Sequence, residues 1–134
     1  MTNLTASDLA KVTKKNSDKV TLGGQVMAKM VYKCQEDDIN GTVMICGVND
    51  KPVGSITYND QSGTKTLDIN LTPHLSPGAD YKLTVAAAVT DLMSWHTDAE
   101  FTLTQDGQVI IQRVYKGDGK WQVHVEEWTL RYLP

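Results

Sequence analysis

Apolar residues recur along this chain with a period of two. Leu67, Ile69 and Leu71 alternate with Thr66, Asp68 and Asn70, and after a short break Tyr81, Leu83, Val85, Ala87 and Val89 alternate with Lys82 and Thr84. Successive side chains of a strand point to opposite faces, so this is how strands buried on one side are written. The same alternation predicts a strand beginning near Val20, broken at Gly23-Gly24 and resuming over 25–35, with Val26, Ala28, Met30, Tyr32 and Cys34 on one face. Val53 to Tyr58 predicts a short strand in which Gly54 marks a bulge or a close approach. Val109 to Tyr115 and Trp121 to Val125 predict two more. Apolar positions then move from odd to even at Trp128, Leu130 and Tyr132, which predicts a β-bulge near Glu126-Glu127. The whole pattern amounts to about nine or ten short strands.

Turn chemistry punctuates these runs. Asn40-Gly41 predicts a hairpin that sets Cys34 opposite Cys46 and Tyr32 opposite Val48, or, with a two-residue turn, makes them diagonal neighbours. Asn49-Asp50-Lys51-Pro52 and Asp106-Gly107 predict further turns, and Asn59 to Thr64 a loop. A loop at Gly117-Asp118-Gly119 would make a hairpin in which Tyr115 faces Trp121 and Ile111 faces Val125. Between Ala86 and Thr97 the strand is expected to continue to Val89 and give way to a loop, with a one-turn helix from Asp91 as the alternative. The polar stretch 1–19 is expected to be an arm or a short helix, capped by Thr5 or Ser7 and running through Lys14, ahead of one sandwich domain over 20–134. One idiom occurs twice: Gly24-Gln25-Val26 with Val31-Tyr32-Lys33, and Gly107-Gln108-Val109 with Val114-Tyr115-Lys116.

At Ser76-Pro77-Gly78-Ala79 the fixed φ of proline precedes a residue free to take positive φ, which predicts a tight corner. The order Leu75, Pro77-Gly78, Tyr81, Leu83, Val85 resembles the corner before strand F of fibronectin type III and related immunoglobulin-like sandwiches. The resemblance implies that the Tyr81 hydroxyl bonds back to the backbone near the corner. The fold class expected is all-β, an antiparallel β-sandwich of immunoglobulin-like or jelly-roll character.

Composition narrows function mostly by exclusion. The 134 residues suit one domain with a real core. A net charge of −3 argues against a general nucleic-acid binder. No apolar run reaches membrane-spanning length, and the N-terminal stretch lacks the apolar core of a secretory signal, so a cytoplasmic location is the default expectation. Cys34 and Cys46 are expected to be reduced, buried small hydrophobes or, in an oxidising compartment, a cross-strand disulfide. His74, His96 and His124 lie far apart, so no metal site and no cofactor are expected. Glu126-Glu127 should point to opposite faces of a strand and not act as an acid–base pair. With no nucleophile motif in sight, a non-enzyme is expected.

The stretch with most chemistry is Asp91 to Glu100, expected as an exposed inter-strand loop. Asp91, Ser94, Trp95, His96 and Asp98 form the candidate ligand site. An indole face with carboxylate, hydroxyl and imidazole neighbours suits a sugar ring, whose C–H face stacks while its hydroxyls hydrogen-bond. Trp95 as a plug at one end of the sandwich is the competing expectation. The leading function is thus a lectin-like, carbohydrate-binding module. The alternatives are a self-associating structural subunit of coat, fibre or tail type, forming a homo-oligomer through its apolar C-terminal strand, and a small membrane-active toxin.

Overall fold

The computed structural model describes residues 13–34, 42–58, 63–89, 95–119 and 122–134. Among them the alternating runs form nine strands: β1 (Thr13–Leu22), β2 (Val26–Cys34), β3 (Thr42–Val48), β4 (Lys51–Tyr58), β5 (Gly63–Asn70), β6 (Asp80–Val89), β7 (Trp95–Gln105), β8 (Gln108–Gly119) and β9 (Gln122–Tyr132). A 3₁₀ turn at Thr72–His74 separates β5 from β6. Five strands make one sheet in the order β1-β9-β6-β3-β4, and four make the other in the order β5-β2-β7-β8. Every pairing is antiparallel except that of β1 with β9, which is parallel.

The core lies between the layers and is built from alternate residues, as the period of two requires. Ala28, Met30 and Tyr32 of β2 and Phe101 and Leu103 of β7 meet Met44 and Cys46 of β3, Leu83 and Val85 of β6, and Trp128 and Leu130 of β9. Phe101 and Trp128 stack across the layers at 5.7 Å between ring centroids. Full burial of a large apolar side chain contributes about 1.5–3 kcal/mol, so these facing rows dominate the stability.

Three turns form as their residues dictate. Asn49 and Asp50 take φ of 50° and 66°, and Asp106 and Gly107 take 48° and 84°, the double positive φ that matches a two-residue turn to strand twist. At the corner, Gly78 has φ 79° and Ala79 N–H donates to Ser76 C=O at 3.3 Å. The Tyr81 hydroxyl accepts the Ser76 N–H at 2.5 Å, the bond that the resemblance implied. Gly54 satisfies both expectations for it. Val53 is the extra residue of a bulge against Cys46 and Gly47, and a Cβ on Gly54 would come within 2.4 Å of Ile69 Cδ1 from the facing sheet.

Other expectations are corrected, and most of the corrections concern which strands are neighbours. β1 starts at Thr13, not near Val20, so residues 13–19 are strand and neither arm nor helix; residues 1–12 lie outside the described set. β2 and β3 do not pair with each other: Cys34 stands opposite Gly63 and Thr97, and Cys46 opposite Gly54 and Val85. The cross-strand cysteine pair is thereby excluded, and Cys46 is a buried free thiol. β8 and β9 likewise belong to opposite sheets, so Ile111 does not face Val125 across a ladder; Trp121 lies outside the described residues.

β9 also carries no bulge against β6, since its register is unbroken from Asp80↔Arg131 to Val89↔Gln122. The shift of apolar phase has another cause: Glu126, with Trp128 and Leu130, occupies the inward face. The C-terminal strand is no edge either, because β9 is flanked by β1 and β6, and pairing of a second copy along it is closed off.

Candidate functional site

The residues expected as a loop site divide. Asp91 and Ser94 fall outside the described residues. Trp95, His96 and Asp98 are strand, not loop: β7 begins at Trp95 and pairs at once with β8, Trp95↔Gly119, His96↔Asp118 and Asp98↔Lys116. Gly119 and Gly117 stand opposite Trp95 and Thr97, so β8 supplies no side chain at those two positions. Because Ala99, Phe101 and Leu103 are buried, Asp98 belongs to the outer face of its sheet. There it lies between Lys33 of β2 and Lys116 of β8 in register.

That register also accounts for the repeated idiom. β2 and β8 are the two antiparallel neighbours of β7, and Val31, Tyr32 and Lys33 meet Glu100, Ala99 and Asp98 on one side as Val114, Tyr115 and Lys116 do on the other. Both tyrosines turn inward beside Ala99, and both lysines turn outward beside Asp98.

A second cluster, which sequence reasoning missed, sits where β8 packs over β9. Glu126 is 2% exposed, the sole fully buried charged residue among those described. Its carboxylate accepts hydrogen bonds from Arg113 Nε at 3.0 and 3.2 Å, from the Tyr115 hydroxyl at 2.8 Å and from Asn16 Nδ2 at 2.9 Å. Lys14 Nζ approaches to 3.9 Å. The local chain geometry explains these positions. β1 slips register by a bulge between Lys15 and Lys19, and at that break Asn16 donates both to Glu126 and to the Glu127 carbonyl at 2.9 Å. Around the ion pair, the Arg113 guanidinium lies 5.5 Å from the Trp128 ring centre and Tyr115 stacks on His124 at 5.9 Å. His124 Nε2 donates to the Lys116 carbonyl at 2.9 Å. Glu127 turns to the opposite face, where Lys82 is its cation at 3.9 Å.

The electrostatics make this cluster a clamp. Burial pushes the Glu126 carboxyl up, but the bonds from Asn16, Tyr115 and Arg113 and the Arg113 charge together outweigh it, leaving its pKa below the usual glutamate value. Tyr115 is driven the other way, first by burial and then by its bond to the Glu126 carboxylate, so it stays a phenol that donates. Cys46 is pushed up to about 12 by burial, which keeps it a thiol. The signal that could have found the clamp was the phase change at Glu126 itself. A polar residue in step with Trp128 and Leu130 is as consistent with a paired inward carboxylate as with a bulge.

Among the described residues no group of three or more His, Cys, Asp or Glu side chains could hold a metal ion. Nor is any described helix long and apolar enough to cross a membrane. Residues 5–105 match the profile of a family described as bacterial Ig-like domain. Arg113, Tyr115 and Glu126 lie beyond the matched residues. Among solved structures, a domain of unknown function from Bacteroides vulgatus ATCC 8482 is similar, at 13% identity and a TM-score of 0.37, over 80% of this chain and 96% of that one. No curated protein matches.

Proposed function

The chain belongs to the bacterial Ig-like domain family, and from that premise we propose that it is a non-catalytic binding module with a carbohydrate ligand, held where β7 begins. Membership makes the sandwich immunoglobulin-like. The observation that carries the non-catalytic part is the state of the buried ionisable groups. The Glu126 carboxylate is taken up by three donors, Arg113 Nε, the Tyr115 hydroxyl and Asn16 Nδ2, while burial keeps Tyr115 a phenol and Cys46 a thiol, so none of the three is poised to exchange a proton or attack near neutral pH.

Support for the sugar site is the run Trp95, His96 and Asp98 along the first residues of one strand, opposite the side-chain-free positions Gly117 and Gly119. Positions two apart on a strand share a face, so His96 and Asp98 stand in step at the start of β7, an arrangement that suits the polar side of a shallow sugar subsite. The self-association alternative loses its route, since β9 is interior to its sheet.

Glycan-array screening of the intact protein, with Trp95→Ala and Trp95→Phe alongside, tests the reading. The expected result is a glycan bound by wild type, lost in Trp95→Ala and largely retained in Trp95→Phe, with unchanged melting curves. Absence of any bound glycan, or equal binding by Trp95→Ala, would overturn it. So would collapse of the fold in Trp95→Ala with wild-type binding in Trp95→Phe, which would mark a plug.

A further inference from the structure

One pairing departs from all the others. β1, the first described strand, runs parallel to β9, the last, from Thr13↔Val125 to Leu22↔Tyr132. Parallel neighbours start at the same pole of a sandwich and finish at the same pole, so the described chain enters at Thr13 on one pole and leaves past Tyr132 on the other. Tension along that path pulls β1 back toward its start and β9 on toward its end, and the two strands are driven past each other. The evenly spaced rungs of a parallel ladder then share the load, and none opens ahead of the rest. With an antiparallel pair both ends would lie at one pole, and the same tension would open the rungs one after another.

The ladder has a gap that this load would find. Between Lys15↔Glu127 and Lys19↔Thr129, four steps along β1 span two along β9, and residues 16–18 have no partner in the register. The Asn16 side chain bridges the gap, its Nδ2 donating to Glu126 Oε2 and to the Glu127 carbonyl, both at 2.9 Å. Glu126 is gripped in turn by Arg113 Nε and the Tyr115 hydroxyl of β8, in the facing sheet. A slip of β1 along β9 must break both Asn16 bonds and take a donor from a buried carboxylate, where water does not readily replace it. Packing contributes little to holding β1, because Leu22 is its one buried residue. Its other ties are also polar: Lys19 Nζ meets Asp80 of β6 at 2.8 Å, and Leu133 N–H donates to the Leu22 carbonyl at 2.7 Å.

We infer that the β1–β9 pair is a load-bearing joint, which resists tension along the chain by shear, and that Asn16 is its latch, joining β1 to Glu126 and through Glu126 to the second sheet. Arg113, Tyr115 and Glu126 lie beyond residues 5–105, so the latch is a feature of this chain and not of the matched profile. The inference does not rest on the sugar reading, which concerns the start of β7.

Single-molecule force spectroscopy of the intact protein tests it in two geometries. Handles joined to the two chain ends load the pair in shear. Handles clicked to azide-bearing residues in place of Thr21 and Leu133, exposed positions at one pole, load the rungs there one at a time. At equal loading rate the end-to-end rupture force should be at least about twofold the same-pole force. Asn16→Ala should lower the end-to-end force by about a third and leave the same-pole force unchanged, with Asn16→Ser falling between it and wild type. Gly54→Ala, which strains the contact of β4 with β5 at the other side of the sandwich, should lower the melting temperature but not the end-to-end force. Equal forces in the two geometries would overturn the joint. Wild-type end-to-end force in Asn16→Ala, or forces in Asn16→Ala and Gly54→Ala that simply follow their melting temperatures, would overturn the latch.

Discussion

Glu126 shows how much one side chain decides here. A carboxylate taken out of water is costly unless every lone pair finds a donor, and Arg113, Tyr115 and Asn16 supply donors from two other strands. The clamp therefore ties β1, β8 and β9 together at the one place where the facing layers are uneven. Its contribution follows pH with a definite sign. The folded-state pKa of Glu126 is depressed, so its stabilisation is present above the ordinary glutamate value of about 4.3 and is lost as pH falls through the folded value. Glu126→Gln should cost about 2 kcal/mol at pH 7, the lower part of the range for a charged hydrogen-bonded pair because Arg113 is partly exposed and can rehydrate. Denaturant unfolding of both proteins at pH 7 and at successively lower pH checks this: the gap should narrow as pH falls below the ordinary glutamate range and the wild-type carboxyl protonates. A gap independent of pH would mean that Glu126 acts through packing and not through charge.

At the scale of elements, Gly54 controls how closely β4 and β5 approach. A methyl group there would press on Ile69 Cδ1 and on Leu67 Cδ2, at 2.4 and 3.0 Å. Gly54→Ala should lower stability by about 1–3 kcal/mol, the usual cost of overpacking. Ile69→Val removes the offending Cδ1, so the double variant should be more stable than the sum of the single changes implies. Thermal unfolding of the four proteins measures the coupling, and strict additivity would place the strain elsewhere. Elements of this kind were legible from the chain because they are local. The turns at Asn49-Asp50 and Asp106-Gly107 and the Ser76 to Tyr81 corner each depend on residues only a few positions apart, and at Gly54 the glycine itself was the signal. Pairing between β2 and β3, or between β8 and β9, was not legible, since alternation reports which residues share a face and never which strand lies alongside. Glu126 was misread for a related reason. Val123 and Val125 of β9 alternate as an inward face would, while the true inward face runs His124, Glu126, Trp128, and only Arg113 and Tyr115 of the preceding strand, which lies in the other sheet, reveal it. Of the expected sugar site, the residue types were legible and the strand that holds Trp95, His96 and Asp98 was not, because the start of β7 forms by pairing with β2, far away in sequence, and with the far end of the β7–β8 hairpin.

For the molecule as a whole, the arrangement that matters is five strands over four, with β7 and β8 completing the sheet of β2 and β5 while β9 returns to the other layer. The clamp and the Trp95 end both follow from that route. Cross-strand Hα–Hα contacts in solution test it most directly, since in an antiparallel ladder they arise only between true neighbours. Contacts linking β6 to β9 in the register of Ala86↔Val125, and β7 to β8 in the register of Ala99↔Tyr115, are the predicted result. An Hα–Hα ladder joining β8 directly to β9, with Ile111 against Val125, would contradict the account.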